Sequence, residues 1–296
     1  MKNIKKNITF FYNEGVEKNH WDNVVSEAES RGYATSFSSD MNKKAEIGFY
    51  CSDNNKPKNS KLSFVMLHGM DQGRTRWPNI WRDWPWNKFD IGLLPGKTWS
   101  ERWKSSAFDP YSHPKIAVCE VGSPKADVIF ANKYLFQEKV DEIARGLNLP
   151  FDKTVLYAPS FETDGKQKDI IDLLQSTKTN ILIKHWLISD EDKKSYPDVW
   201  DNIVDACNEI SHNQNHIRIL SPELSIMICL GLCDVLVTDE SSVAYEALLL
   251  NREVFTLKNW MMRTNNVDDP RPVAPPSDIV NKVSREELKD FMTKYN

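Results

Sequence analysis

No apolar run in the 296 residues approaches the roughly 18 needed to span a bilayer, so any membrane contact is expected to be peripheral. The opening segment MKNIKKNITFFYNEG starts with charge, but its apolar run is short and soon broken by Asn13 and Glu14. It is therefore expected to be a first strand and not a secretory leader. Cysteine is scarce: Cys51, Cys119, Cys207, Cys229 and Cys233 are odd in number and form no CxxC pair, which suits a reducing compartment better than a disulfide framework. Cys229 and Cys233 lie one helical turn apart, but with no His or third Cys beside them they read as core residues. Eleven Gly and 15 Pro are too few for a fibrous or low-complexity chain, and no internal repeat stands out. Positive charge is not in excess either. A net charge of −4 gives no global field to hold nucleic acid by counterion release, although a local basic patch stays open.

Three motif resemblances fail on missing parts. The segment LHGMDQGRTRW is like the oxyanion loop of α/β-hydrolases, yet no GxSxG elbow follows it. Gly92–Thr98, GLLPGKT, falls one residue short of a phosphate-loop spacing and is expected to be a turn. His212 and His216 have helical spacing, but the Asn-Gln-Asn between them and the want of a placed carboxylate argue against zinc. No metal and no cofactor is expected.

What is present is an alternation of strand and helix patterns. Ile8–Tyr12 is a β-branched and aromatic run followed by an Asn-Glu-Gly turn and a helical pattern from about Trp21 to Ala28. Further strands are expected at Ala45–Tyr50, Leu62–Leu67 and Lys115–Val121, and a polar helix at Lys133–Leu147 reads as a bridge between halves. After Leu149-Pro150, strands are expected at residues 154–158, 180–183, 217–220, 234–238 and 254–257. Helices are expected near 168–176, 199–210, 221–230 and 242–250. Such alternation implies parallel sheets covered on both faces. The expected architecture is α/β of the GT-B type: an acceptor-side Rossmann-like domain over residues 1–149 and a nucleotide-donor-binding one over 150–296, facing a central cleft.

Ligands of open α/β sheets bind beyond the carboxyl ends of strands, and several chemistry-bearing residues fall there. In VLVTDESSVAYEALLL a buried strand ends at Thr238-Asp239 and a helix opens at Ser241-Ser242. The unpaired N–H groups of a helix start favour an anion such as a diphosphate. The alternative is that Asp239 and Ser241 simply cap the helix. Lys184 and His185 follow the strand Ile181–Ile183 and are candidates to meet phosphate charge, the alternative being a surface Lys beside a packed His. His68 occupies a similar place in the first half, where a neutral imidazole suits removal of a proton from an attacking hydroxyl. Six tryptophans stand between residues 77 and 103. Trp81 and Trp84, spaced like one helical face, read as core. Trp77, Trp86, Trp99 and Trp103 neighbour Arg76, Lys88, Lys97 and Arg102 and are expected on the acceptor side, where a flat apolar face and a nearby cation suit sugars and phosphates.

Taken as a collinear series, five segments resemble the CDP-glycerol glycerophosphotransferases of teichoic-acid and capsule synthesis. They are MLHG at 66–69, EVGSPKADVIF at 120–130, VLYAPSFETDG at 155–165, IKHW at 183–186 and CDVLVTDESSVAYEALLLNREVF at 233–255. The resemblance implies a GT-B fold and metal-independent transfer of glycerol phosphate from CDP-glycerol to a hydroxyl of a glycan or lipid-linked acceptor. It implies His68 as general base, His185 at the donor phosphates, Ser241 and Ser242 near the pyrophosphate, Ser160 after the YAP segment, and Glu246 near the ribose hydroxyls. Lys184 stands where the family usually has Arg, Trp186 where it has Pro, Glu240 where it has Tyr, and Asn251-Arg252-Glu253 where it has Gly-Lys-Pro. Those departures keep two alternatives open: a GT-B nucleotide-sugar glycosyltransferase or epimerase, and a non-catalytic glycan-binding protein. The partners expected are a nucleotide-activated donor and a glycan or lipid-linked acceptor, with no nucleic acid. The expected location is the cytoplasm, with the inner face of the membrane as the place of any peripheral association.

Overall fold

Short apolar and aromatic runs build the two sheets of this protein, with alternating burial in first-sheet strands such as Ile91–Leu94 and continuous burial in second-sheet strands such as Thr179–Ile183. The computed structural model describes residues 6–13, 15–51, 55–67, 85–159, 166–186, 193–194, 197–198, 200–201, 203, 214–239, 241–257 and 280–295. Contacts divide the chain into two units, Met1–Ala131 and Asn132–Asn296.

The first unit holds β1 (Asn7–Phe11), α1 (Gly15–His20), α2 (Asp22–Ser30), β2 (Ala34–Ser38), β3 (Ala45–Tyr50) and β4 (Ser60–Val65). It continues with β5 (Ile91–Leu94), α3 (Lys97–Ser105), β6 (Ala117–Glu120) and α4 (Pro124–Phe130). The six strands are parallel in the order β2-β1-β3-β4-β5-β6, which is the flavodoxin-like order with one strand added. One face packs Phe10, Trp21 and Met66; the other packs Phe11, Tyr50, Phe89 and Leu94. Successive residues Phe10 and Phe11 point to opposite faces, as the pleat requires.

Two expectations are corrected here. Gly92–Thr98 is not a turn throughout: Gly92 to Leu94 belong to β5, and after Pro95 and Gly96 the chain enters α3 at Lys97. The strand passes beneath Trp86, and a Cβ at residue 92 would lie 2.5 Å from that ring, which is why glycine is required. The second correction is β2, ATSFS, whose polar residues hid a strand from the pattern.

The second unit holds α5 (Lys133–Leu147), β7 (Lys153–Tyr157), α6 (Lys166–Leu174), β8 (Thr179–Ile183), β9 (Ile217–Ile219) and α7 (Ile226–Gly231). It ends with β10 (Val235–Val237), α8 (Val243–Leu248), β11 (Glu253–Leu257), β12 (Asn281–Val283) and α9 (Arg285–Tyr295). Asn132 caps α5 by accepting the Leu135 N–H, and Asn148 ends it in the left-handed region at φ 46°. That helix packs on α7, where Gly231 leaves room for Val140 and Phe136.

All six strands are again parallel, in the order β12-β11-β10-β7-β8-β9. Counted from β7 this is the doubly wound dinucleotide-binding order, with its switch point between β7 and β10. Val155, Tyr157, Ile181, Ile183, Val235 and Val237 form one face with Ile170 and Leu174 of α6 and Leu288 and Met292 of α9. Leu156, Leu182 and Leu236 alternate to the opposite face and are fully buried. Burying each such side chain is worth roughly 1.5–3 kcal/mol, which makes these short central strands the firmest part of the unit. The helix expected near 199–210 lies mostly outside the described residues, and the one expected at Ser221 begins at Ile226.

Candidate functional site

The switch point of the second unit brings three strand ends together. The β7–β10 pairing sets Tyr157 opposite Val237, so the chain leaves the sheet side by side at Ala158 and Thr238. There the Thr238 hydroxyl donates to the Ala158 carbonyl at 2.7 Å, and the Ala158 N–H donates to the Val237 carbonyl at 3.1 Å. On the other side of β7, the Lys184 N–H donates to the Tyr157 carbonyl at 2.9 Å, continuing the β7–β8 ladder one residue past the strand. Residues 158, 184, 185, 238 and 239 thus share one carboxyl edge.

At the end of β10, Asp239 is fully buried and its carboxylate accepts the Ser241 N–H at 3.1 Å. The Ser241 hydroxyl accepts the Val243 N–H at 3.4 Å, and α8 begins there. These are contacts of the turn that leads into the helix; Ser242, the residue at the N-cap of α8, makes no side-chain cap bond. The turn contacts orient the first turn of α8 and leave Ser241 and Ser242 half-buried. Glu246, on the first turn of α8, is buried.

At the end of β8, Lys184 and His185 diverge. Alternation continues the core face of Ile181 and Ile183 toward His185 and sends Lys184 to the α7 side. The Lys184 ammonium donates to the carbonyls of His185 at 2.7 Å and Pro222 at 2.9 Å, and only 8% of the residue is exposed. Burial lowers its pKa. The alternative of a surface lysine does not hold: this is an internal cation directed at backbone oxygen. His185 is 4% exposed, and neither ring nitrogen has a hydrogen-bond partner among the described residues. Burial first, and the Lys184 charge second, lower its pKa from 6.5 to about 4, so the imidazole is neutral at physiological pH. A buried polar ring without a partner loses hydration and gains nothing in return. Such a group points to a ligand.

Cys229 and Cys233 are buried, and burial pushes both thiols up to about 12. They belong to the packing of α7 and its end. His216 lies against Phe151, with its pKa lowered by burial and then by Arg218. His212 lies outside the described residues.

The tryptophans require the main correction. Trp86 is 2% and Trp99 6% exposed, both in the core of the first unit beside Phe89 and Leu94. Trp103 packs against the same cluster and donates its indole N–H to the Ser112 carbonyl at 2.8 Å. Arg102 sits over the Trp99 ring at 5.5 Å, so the neighbouring cation braces the core. Trp86 and Trp99 are therefore core residues, while Trp103 is half-buried. Trp77, Trp81, Trp84, His68, Ser160 and Glu240 lie outside the described residues. The motif EVGSPKADVIF runs from the end of β6 into α4 through Gly122, whose φ of 85° favours glycine at that turn. The Asn23 amide donates to the Pro124 carbonyl at 2.8 Å and ties this turn to α2.

Two doubly wound parallel units in one chain define the GT-B class, and solved structures agree. The wall teichoic acid polymerase TagF superposes with a TM-score of 0.60 at 16% identity, over 98% of this chain and 79% of that one. The UDP-GlcNAc 2-epimerase of Methanocaldococcus jannaschii, in complex with UDP-GlcNAc and UDP, gives 0.59 at 11% identity, over 99% and 92%. Likeness at these identities establishes the fold alone. Sequence goes further. The model of the family CDP-Glycerol:Poly(glycerophosphate) glycerophosphotransferase matches residues 93–261, more than half of the chain, and the protein belongs to that family. The teichoic acid glycerol-phosphate primase of Bacillus subtilis (strain 168) is 24% identical over 175 residues. That alignment takes in 54% of this chain and 44% of the primase, so less than half of that relative is represented. The carboxyl edge built by β7, β8 and β10 falls within the family match; His68 precedes it.

Proposed function

We propose that this protein transfers glycerol phosphate from CDP-glycerol to a hydroxyl of a glycan or lipid-linked acceptor in the synthesis of a cell-surface polymer. The single observation that carries the reading is the buried His185 at the switch-point edge, without a hydrogen-bond partner among the described residues and one strand from the Thr238–Asp239–Ser241 turn. The family match and a TagF structure soaked with CDPG support the choice of donor.

In this reading the second unit, residues 150–296 with α5 packed on it, holds the donor, and the first unit, residues 1–149 less α5, serves the acceptor. The diphosphate lies over the carboxyl edge. His185 donates one hydrogen bond to a phosphate oxygen, and Ser241, Ser242 and Ser160 supply hydroxyl donors. Glu246 is assigned to the ribose hydroxyls. The acceptor oxygen attacks the phosphorus that carries glycerol, forming one P–O bond as the P–O bond of the diphosphate breaks, and CMP leaves with the electron pair. The acceptor proton passes to His68, placed just beyond β4 in the sequence. Charge gathering on the departing CMP is met by the donors at the β8 and β10 ends. Among the described residues no helix is long and apolar enough to cross a membrane; contact with the inner membrane face, where a lipid-linked acceptor would be met, is part of the proposal.

The test is CMP release from CDP-glycerol by the purified protein with a glycerol-phosphate-primed acceptor, against UDP-N-acetylglucosamine as control donor. Acceptor-dependent CMP release lost in His185→Phe supports the reading. A protein that binds UDP-N-acetylglucosamine in preference to CDP-glycerol overturns it.

A further inference from the structure

The mechanism above leaves Lys184 without a direct contact to donor, although it adjoins the key imidazole. Its ammonium is buried and donates to the carbonyl of His185 itself and to Pro222, 38 residues onward, in the turn that leads into α7. That turn is internally fixed: the Leu224 N–H donates to the Ser221 carbonyl at 3.0 Å, and the Glu223 N–H to the Ser221 hydroxyl at 3.2 Å. The Leu220 N–H in turn donates to the Ile183 carbonyl at 2.8 Å. Lys184 therefore closes a bracket between the end of β8 and the β9–α7 turn, with the His185 backbone as one of its two anchors.

We propose that Lys184 is a positioning residue for the donor site: its buried ammonium clamps the His185 and Pro222 carbonyls and fixes the imidazole at the strand end. The inference rests on the proposed donor site and assigns Lys184 a part in it other than phosphate contact.

The electrostatics agree with the geometry. Buried ionisable groups that the described residues bring to this edge and its flanking helices include Tyr157 at the end of β7, Lys184, Lys166 at the start of α6, Cys229 on α7, Asp239 beyond β10 and Glu246 on α8, while Lys168, Asp169 and Asp172 of α6 and Tyr245 of α8 are not fully buried. After burial, the Lys184 charge lowers the His185 pKa, and Cys229 is an uncharged thiol. Apposed cations disfavour a second positive charge. A bound diphosphate reverses that balance, so the site favours the ligand-bound form of the protonated imidazole over the empty one.

The experiment follows the His185 ring resonance by NMR in ligand-free protein, assigned by its loss in His185→Phe, and measures CDP affinity by calorimetry on the same samples. Lys184→Gln keeps hydrogen-bond donors and removes the charge, Lys184→Met removes both, and Lys184→Arg restores both. The expected result is a His185 midpoint that rises in the Gln and Met variants, while burial keeps it below 6.5, and returns in the Arg variant. CDP affinity should fall roughly tenfold in Lys184→Met, since buried carbonyls lose their donor. An unchanged midpoint in folded Lys184→Gln, or an Arg variant that behaves like Met, overturns the proposal; if Lys184→Met does not fold, the Gln and Arg variants decide it. The midpoint is read without ligand, so absence of CDP-glycerol turnover by wild type would sink the proposed reaction and leave this test standing.

Discussion

Replacing His185 by Phe should change how the protein responds to acid, and the size follows from the site. The ring is 4% exposed, and its nitrogens find no partner among the described residues, so folding favours the neutral form. Its pKa drops from 6.5 to about 4 on folding. Between those values the unfolded chain binds the proton and the folded chain does not, so unfolding free energy rises with pH across the window. The contribution is fully present above pH 6.5 and is lost as pH falls toward 4. At 1.36 kcal/mol per pH unit, the loss is about 3 kcal/mol. Phe does not titrate, so the variant should lack this component while keeping the acid sensitivity of every other group. The assay is urea denaturation of wild type and His185→Phe at intervals from pH 7.5 to 4.5. The difference between the two stabilities should shift by about 2–3 kcal/mol in favour of the variant at the acid end. Two curves that fall in parallel would refute the claim that His185 is buried and neutral.

Other consequences of the structure can be checked together. Ser241→Ala combined with Ser242→Ala should weaken CDP binding tens-fold by calorimetry, since each charge-assisted hydrogen bond contributes about 1.5–3 kcal/mol; unchanged affinity would leave Ser241 only its bond to the Val243 N–H. Thr238→Val removes the 2.7 Å bond across the switch point and should lower stability by about 1 kcal/mol in denaturant melts, with a parallel loss of CDP affinity. Trp86→Ala should cost about 3–5 kcal/mol of stability, as large core deletions do, and an unaltered melting temperature would return this ring to the surface. His68→Ala should reduce CMP release by roughly 100-fold or more with CDP affinity unchanged, and loss of affinity in folded protein would remove it as the base.

Much of the second unit could be read directly from sequence because its central strands are short apolar runs buried on both faces. Ile181–Ile183 and Val235–Val237 announce themselves, and the residues after them fall at strand ends by necessity. Where the signal was weak, the reason was local chemistry. The polar residues of β2 and the Gly-Pro-Gly spacing around β5 masked strands whose neighbours supply the pairing. Nothing in the sequence reading marked β12 or α9: the strand has three residues, and the helix is anchored by Arg285 on Asp169 and by Leu288 and Met292 in a core made elsewhere. Trp86 and Trp99 were misplaced because a neighbouring cation was taken as a sign of exposure, whereas Arg102 lies along the Trp99 ring. The part played by Lys184 was hidden for another reason. Its partner Pro222 is remote in sequence, and only the β8–β9 pairing brings the two together.

The central claim is that the carboxyl edge around His185 receives the diphosphate of a CDP-activated donor. Titration of the protein with CDP-glycerol, watched at the His185 ring resonance, tests it most directly. The account predicts a saturable change in that resonance at the concentrations that saturate binding by calorimetry, with the ring becoming easier to protonate as the anion enters. Saturation by CDP-glycerol with the His185 signal unmoved, or no binding by folded protein, would contradict it.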